Sequence, residues 1–262
     1  MSPGSESTPV RTISVVLGGV LIAATWSYLV LLRPTNWESV GASPEALITL
    51  VGYVGATVLI LGGVLPQLPA RTIAIIPVAL LVNILLGQVI GSVGVPLYLD
   101  AVGTVLVAVL AGPRAGLATG ALSSVVWALV NPMALPFAAA SALTGWLAGT
   151  AARYGAFRNI GLAAGAGAGV GLVSGIVAAP VAAFVYGGTA GVGTGALVSL
   201  FREMGNSLLS SVTLQSVISD PLDKAIVFAL VFAVVRSLPV KARRSLSGTQ
   251  ARPGMPSGSE AQ

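Results

Sequence analysis

Long apolar runs recur along this chain, bounded by Pro, Gly or Arg, and they limit what it can fold into more than any other feature. The first, Ile13–Leu32, contains no charged residue. A helix needs about 20 predominantly apolar residues to cross the hydrocarbon core of a bilayer. Further runs cover Ala46–Leu65, Thr72–Ile90, Pro96–Ala111, Ala115–Val130, Leu135–Ala151, Ile160–Tyr186 and Leu222–Leu238, eight candidate spans in all. Lipid offers no partner to a backbone N–H or C=O, so such runs are expected to be helical. The expected fold class is therefore an all-α integral membrane protein, a compact bundle of about eight transmembrane helices.

Composition excludes the main alternative. Apolar residues make up 55% of the 262 positions and charged residues 8%, against about 25% charged in soluble domains. The 33 glycines lie mostly inside apolar runs, where small residues let helices approach closely. Neither Cys nor His occurs, which removes disulfides, thiol nucleophiles and the commonest zinc, haem and copper ligands, so no cofactor or metal is expected. Lys and Arg exceed Asp and Glu, 13 to 8. They are dispersed between the apolar runs, which fits topology-setting charge in a lipid bilayer and not a nucleic-acid surface.

Charge placement suggests an orientation. With Arg11 in the cytoplasm and successive runs alternating, Arg71, Arg114, Arg153, Arg158, Lys241, Arg243 and Arg244 fall inside, and Arg33, Arg202 and Lys224 outside. Both termini are then cytoplasmic, and the stretch 195–218 is external or re-entrant. Residues 1–10 and 241–262, rich in Ser, Gly and Pro, are expected as tails. Ile13–Leu32 is read as a retained helix, not a signal peptide, because no convincing small-residue cleavage site follows it.

Ionisable groups at membrane depth are costly, so their placement points to function. Under this topology Gln88, Tyr98, Asp100, Trp127, Asn131, Arg202, Glu203, Asn206, Gln215, Asp220, Asp223 and Lys224 all fall toward the outer side. Together they describe an outward-facing polar pocket with aromatic walls, the composition of a small-molecule site. Duller readings stand beside this one. Asp220-Pro221-Leu222-Asp223 has the form of a helix start, with Asp220 as N-cap and Pro221 at the first helical position. Tyr98 and Trp127 suit an interfacial aromatic belt. Asp100, near the start of an apolar run, needs a partner. Small residues form two stripes on Ile160–Tyr186. Gly161, Ala164, Gly165, Ala168 and Gly169 are the candidate packing surface for a partner helix, and Gly167, Gly171 and Gly175 lie on a neighbouring face.

No G-x-x-x-x-G-K-[ST] phosphate loop exists, and the two lysines, Lys224 and Lys241, sit in no glycine-rich turn. A Ser/His/Asp or Cys/His set is impossible without His and Cys. The chain is expected to lack catalysis of its own.

The stretch Pro96-Leu97-Tyr98-Leu99-Asp100-Ala101-Val102-Gly103-Thr104, followed by Gly112-Pro113-Arg114-Ala115-Gly116 and Gly120, resembles the substrate-specific (S) components of energy-coupling factor (ECF) transporters. A second block is similar to the C-terminal half of that family: Gly187-Gly188-Thr189-Ala190-Gly191, Gly205-Asn206-Ser207-Leu208-Leu209, Ser219-Asp220-Pro221-Leu222-Asp223-Lys224-Ala225 and Ser237-Leu238-Pro239. The resemblance implies a six-helix substrate-binding core over 72–240, with 11–71 adding two N-terminal helices. It also implies capture of a vitamin or related micronutrient from outside, association with a transmembrane coupling subunit and two ATPase subunits, and toppling of the bundle to release substrate inward. The family's Ala-x-x-x-Ala contact motif has no clear equivalent in Thr72–Ile90, and Ala164/Ala168 has that spacing too late in the chain. A sensor's membrane input domain and a self-sufficient secondary transporter are the competing expectations. The latter should show related halves with interrupted helices, and no internal repeat is evident.

Overall fold

The computed structural model describes residues 7–33, 43–188 and 191–239. Among these residues the regular structure is entirely helical. Helices α1 (Ser7–Leu32) and α2 (Pro44–Val64) are followed by α3 (Ala70–Ser92), α4 (Val102–Ala111), α5 (Pro113–Trp127) and α6 (Ala138–Arg153). The chain continues through α7 (Ile160–Val185), α8 (Val192–Glu203) and α9 (Leu208–Ser237). The N-terminal tail expected to residue 10 is shorter, because α1 already begins at Ser7. The expected C-terminal tail, Lys241, Arg243, Arg244, Thr189 and Ala190 lie outside the described residues.

Four stretches are long and apolar enough to cross a membrane: Pro9–Leu32, Pro44–Gln67, Ala70–Ser92 and Ile160–Tyr186. Their outer faces carry large apolar side chains in the open, among them Val20, Val51, Val58, Val78, Leu81 and Ile176. An exposed apolar surface of that extent belongs against lipid. Helices α4, α5 and α6 have 10, 15 and 16 residues, short of the ~20 that span a hydrocarbon core. The expected count of eight spans thus has four behind it on length and composition. At 30 residues α9 is long enough, but it carries Asp220, Asp223 and Lys224 in its middle.

Local chemistry explains several of these boundaries. Ser43 caps α2 by accepting the Ala46 N–H at 3.1 Å, with Pro44 in the first turn. Gly112 turns α4 into α5 at φ 91, a conformation that disfavours a side chain, and Pro113 opens α5. Ser207 caps α9 through the Ser210 N–H. That cap corrects the helix start expected at Asp220-Pro221. Pro221 lies inside a continuous helix, and Asp220 is an interior residue. A proline inside a helix is tolerated where neighbouring helices and polar side chains take up the freed backbone groups.

Close packing at small residues holds the bundle together. A Cβ on Gly116 would meet the Gly145 carbonyl, and one on Gly120 the Ser141 carbonyl, which locks α5 to α6. Gly103 sits equally close to Ala79 and brings α4 onto α3. The fully buried Asn83 reinforces that crossing. Its Oδ1 accepts the Gly103 N–H at 2.7 Å, and its Nδ2 donates to Thr104 at 2.8 Å and Ser123 at 3.1 Å. One amide so joins α3, α4 and α5 with its principal capacity used. α1 and α2, expected as an addition to a six-helix core, share one apolar cluster with α5, α6 and α7, including Leu29, Tyr53, Ile60, Ala118, Ala142 and Val181. Trp26 also donates to the Val177 carbonyl of α7 at 2.9 Å.

The two small-residue stripes of α7 have different fates. Gly167, Gly171 and Gly175 face α9, where any side chain would collide with the Lys224 carbonyl, the Asp220 carbonyl and the Asp220 side chain respectively. Gly161, Gly165 and Gly169 are exposed, with open space beside Gly165 and Gly169, and Ala164 and Ala168 are half-buried at the margin.

Candidate functional site

The nine residues between α3 and α4 form an irregular turn that folds back into the bundle. Gly94 at φ 77 reverses the chain, and Leu99 adopts φ 51, a left-handed conformation that costs a residue with a side chain about 1–2 kcal/mol. Asp223 of α9 supplies the compensation. Its Oδ1 accepts the Tyr98 N–H at 2.8 Å and the Leu99 N–H at 2.7 Å. Two backbone donors of an irregular, half-buried segment are satisfied by one carboxylate oxygen, as burial of a backbone N–H requires.

An ion-pair centre is built on that contact. Lys224 donates to Asp100 Oδ1 at 3.1 Å and also to Asp223 Oδ2. The Asp223 side chain is 1% exposed, that of Lys224 11% and that of Asp100 31%, so the centre opens at Asp100. Asp100 precedes α4 in the turn and is not inside a span, which corrects the expected helix Pro96–Ala111. Its partner is Lys224, which pairs the half-buried acid with a buried ammonium. Asp220 lies against Gly171 and Gly175 of α7 with the Ser216 hydroxyl bonded to it. Bare glycine backbone leaves room for a carboxylate between two packed helices.

Aromatic groups border the centre. The Tyr98 hydroxyl and the Thr194 hydroxyl of α8 are 2.8 Å apart, which ties α8 to the turn. The Trp127 ring rests where a side chain on Gly87 would stand, beside the Asp100 Cβ. Trp127 Nε1 is buried and has no hydrogen-bond partner. Ser211 Oγ, Gln215 Nε2 and Ser219 Oγ are in the same condition, on residues 0%, 2% and 3% exposed. Buried polar groups in folded proteins are nearly always paired, so these four orphans, Trp127 and Ser219 at the centre and Gln215 and Ser211 leading away from it along α9, call for an explanation. Ser211, Gln215, Ser219 and Asp223 recur every four residues and therefore share one side of α9.

Of the twelve expected site residues, Tyr98, Asp100, Trp127, Asp220, Asp223 and Lys224 come together here, and Gln215 lies on the stripe that leads to them. Five do not join. Gln88 is exposed, because it is turned about 100° from Gly87, its neighbour at the site. Asn131 accepts the Met133 N–H at 3.2 Å and caps the short 3-10 turn Pro132–Phe137. Arg202 and Glu203 are exposed at the end of α8. Asn206 donates to the Phe201 carbonyl at 3.1 Å and closes the turn into α9. A shared side of the membrane grouped these five with the site, whereas helix direction and local capping separate them from it. Thr194, Ser211, Ser216 and Ser219 belong to the site and were missed. The four-residue repeat running through Gln215 to Asp223 was the available signal.

Among the described residues no group of three or more Asp and Glu is arranged to hold a metal ion. Fold and site together define a helical membrane protein with a buried ion-pair centre and an adjoining polar stripe. No protein-family model, no curated protein and no solved structure matches the chain.

Proposed function

We propose that this chain is the substrate-capturing subunit of an ECF-type importer, a membrane-embedded protein that takes a vitamin or related micronutrient from outside. One observation carries the reading. The two blocks that resemble S components meet at Asp100 and Lys224, residues 124 apart in the chain. Motifs selected only for packing have no need to converge on charged groups, which are costly at membrane depth. The orphaned donors beside them supply what a polar ligand would need.

In this reading the bundle spans the plasma membrane eight times with both termini cytoplasmic, and α9 crosses with its charged middle at the site. Transport depends on a coupling subunit and two ATPase subunits, since the chain has no phosphate loop. The uncovered Gly161, Gly165 and Gly169 face of α7 is the surface offered to the coupling subunit. Co-purification tests the assignment: the tagged chain, expressed with a host's coupling subunit and ATPases without added ATP, is expected to bring all three through affinity and size-exclusion steps. Recovery of the chain alone, well folded, counts against an importer subunit.

A further inference from the structure

We infer that the site selects a small organic cation carrying a hydrogen-bonding group about one helical turn, ~6 Å, from its charge. The inference rests on the substrate-binding reading above and adds the substrate's chemical class. Two independent observations carry it: the charge balance of the centre and the orphaned groups along α9.

Three carboxylates, Asp100, Asp220 and Asp223, surround one ammonium, Lys224. Lys224 is spent on two of them, donating to Asp100 Oδ1 and Asp223 Oδ2. Asp223 has both oxygens in use, because Oδ1 holds the Tyr98 and Leu99 amides. Capacity for a further positive group remains at Asp220, which makes no ion pair among the described residues, and at the second oxygen of Asp100 on the more open side. An anionic ligand would bring like charge onto this excess of carboxylate, whereas a cation relieves it. The Trp127 ring stands beside the Asp100 Cβ at the same centre, and aromatic faces favour organic cations.

The second observation fixes the rest of the ligand. Gln215 is 2% exposed and its Nε2 has no partner, and Ser219 and Ser211 present unpaired hydroxyls. Ser219, Gln215 and Ser211 stand one, two and three turns from Asp223 toward the start of α9, so the first rung, Ser219, is about 6 Å from the charged centre. The Ser219 hydroxyl can meet an acceptor on the ligand at that distance, and Gln215 Nε2, one turn further, can only donate. A hydroxyl or ring nitrogen fits. A bare metal cation would leave the stripe unsatisfied.

Two probe pairs of similar shape and opposite charge test this on the purified full chain in lipid nanodiscs. They are tyramine against 4-hydroxyphenylacetate and 4-(aminomethyl)pyridine against isonicotinate, followed by thermal unfolding across a concentration series. At least one amine is expected to raise the melting temperature with saturation while its acid partner does not. Asp220→Asn is expected to weaken the amine's apparent affinity about tenfold or more, and Tyr154→Ala, far out on the surface, to leave it unchanged. Because the amine and acid arms use the native chain, the result does not depend on whether a variant folds. Binding of an acid without its amine overturns the cation inference and leaves the substrate-binding reading standing. Silence from all four probes overturns the cation inference as stated, while the substrate-binding reading stands or falls on co-purification. Amine binding that survives both Asp220→Asn and Asp100→Asn overturns the placement of the site.

Discussion

Lys224 in the middle of α9 donates at 3.1 Å to Asp100 in the turn before α4, closing a loop of 124 residues with one ion pair. The same ammonium also reaches Asp223, whose other oxygen holds the backbone of that turn. Lysine, two acids and two amides therefore form one unit, and its parts are expected to fail together.

Replacing Lys224 by Met leaves Asp100 and Asp223 facing each other without a cation, and breaking a buried pair from one side costs about 3–5 kcal/mol. Thermal unfolding in detergent is expected to show that loss. Adding Asp223→Asn should recover part of it, because the amide keeps an oxygen for the Tyr98 N–H and removes a charge. Strict additivity of the two changes in a double-mutant cycle would refute the coupling.

Gln215→Leu should move stability and binding in opposite directions. An unpaired buried donor costs about 1–3 kcal/mol, so without substrate the leucine variant is expected to melt at the same temperature or higher. Its substrate affinity should fall. A lower melting temperature in the absence of ligand would mark Gln215 as a structural residue.

The two stripes of α7 should answer differently to the same substitution. Gly171→Ala drives a methyl group into the Asp220 carbonyl, an overpacking that typically costs about 1–3 kcal/mol. Gly165→Ala meets open space and should be neutral or stabilising, since alanine favours a helix by about 1 kcal/mol over glycine. Gly165→Leu is expected to spare stability and weaken co-purification with the coupling subunit. Equal losses of stability at Gly171 and Gly165 would contradict the packing described.

Orientation can be read by chemical labelling, because the chain has no cysteine of its own. In intact cells a membrane-impermeant maleimide is expected to label Arg202→Cys, while Arg114→Cys reacts only after permeabilisation. The reverse pattern would invert the proposed topology.

The spans were the most legible part of the fold. Apolar runs placed α1, α2, α3 and α7 to within a few residues, because lipid imposes a length and a composition that a single sequence displays. Asp220-Pro221 misled because a helix start and a proline held inside a packed membrane helix share the same local signature. The deciding contact, α9 against the bare backbone of Gly171 and Gly175, is long-range. Part of the site was legible for a related reason: Asp100, Asp223 and Lys224 are out of place in apolar sequence and must find one another. Arg202, Glu203 and Asn206 showed the limit of that argument, since a side of the membrane is a plane and not a point. Ser211 and Ser219 carried no charge to draw notice, and only their spacing to Gln215 and Asp223 marked them.

The bond between Asp223 and the amides of Tyr98 and Leu99 also bears on how such a protein is made. A ribosome delivers the turn before α4 long before it delivers α9, which emerges after every other helix described. Until then those amides lack the carboxylate that accepts them in the finished fold, and an unsatisfied buried backbone donor costs about 1–3 kcal/mol. The turn therefore cannot complete its hydrogen bonds when its neighbours do, and the arrival of Asp223 finishes it. Biogenesis thus finishes at the ion-pair centre, and an incomplete chain is marked by a turn with two open amides.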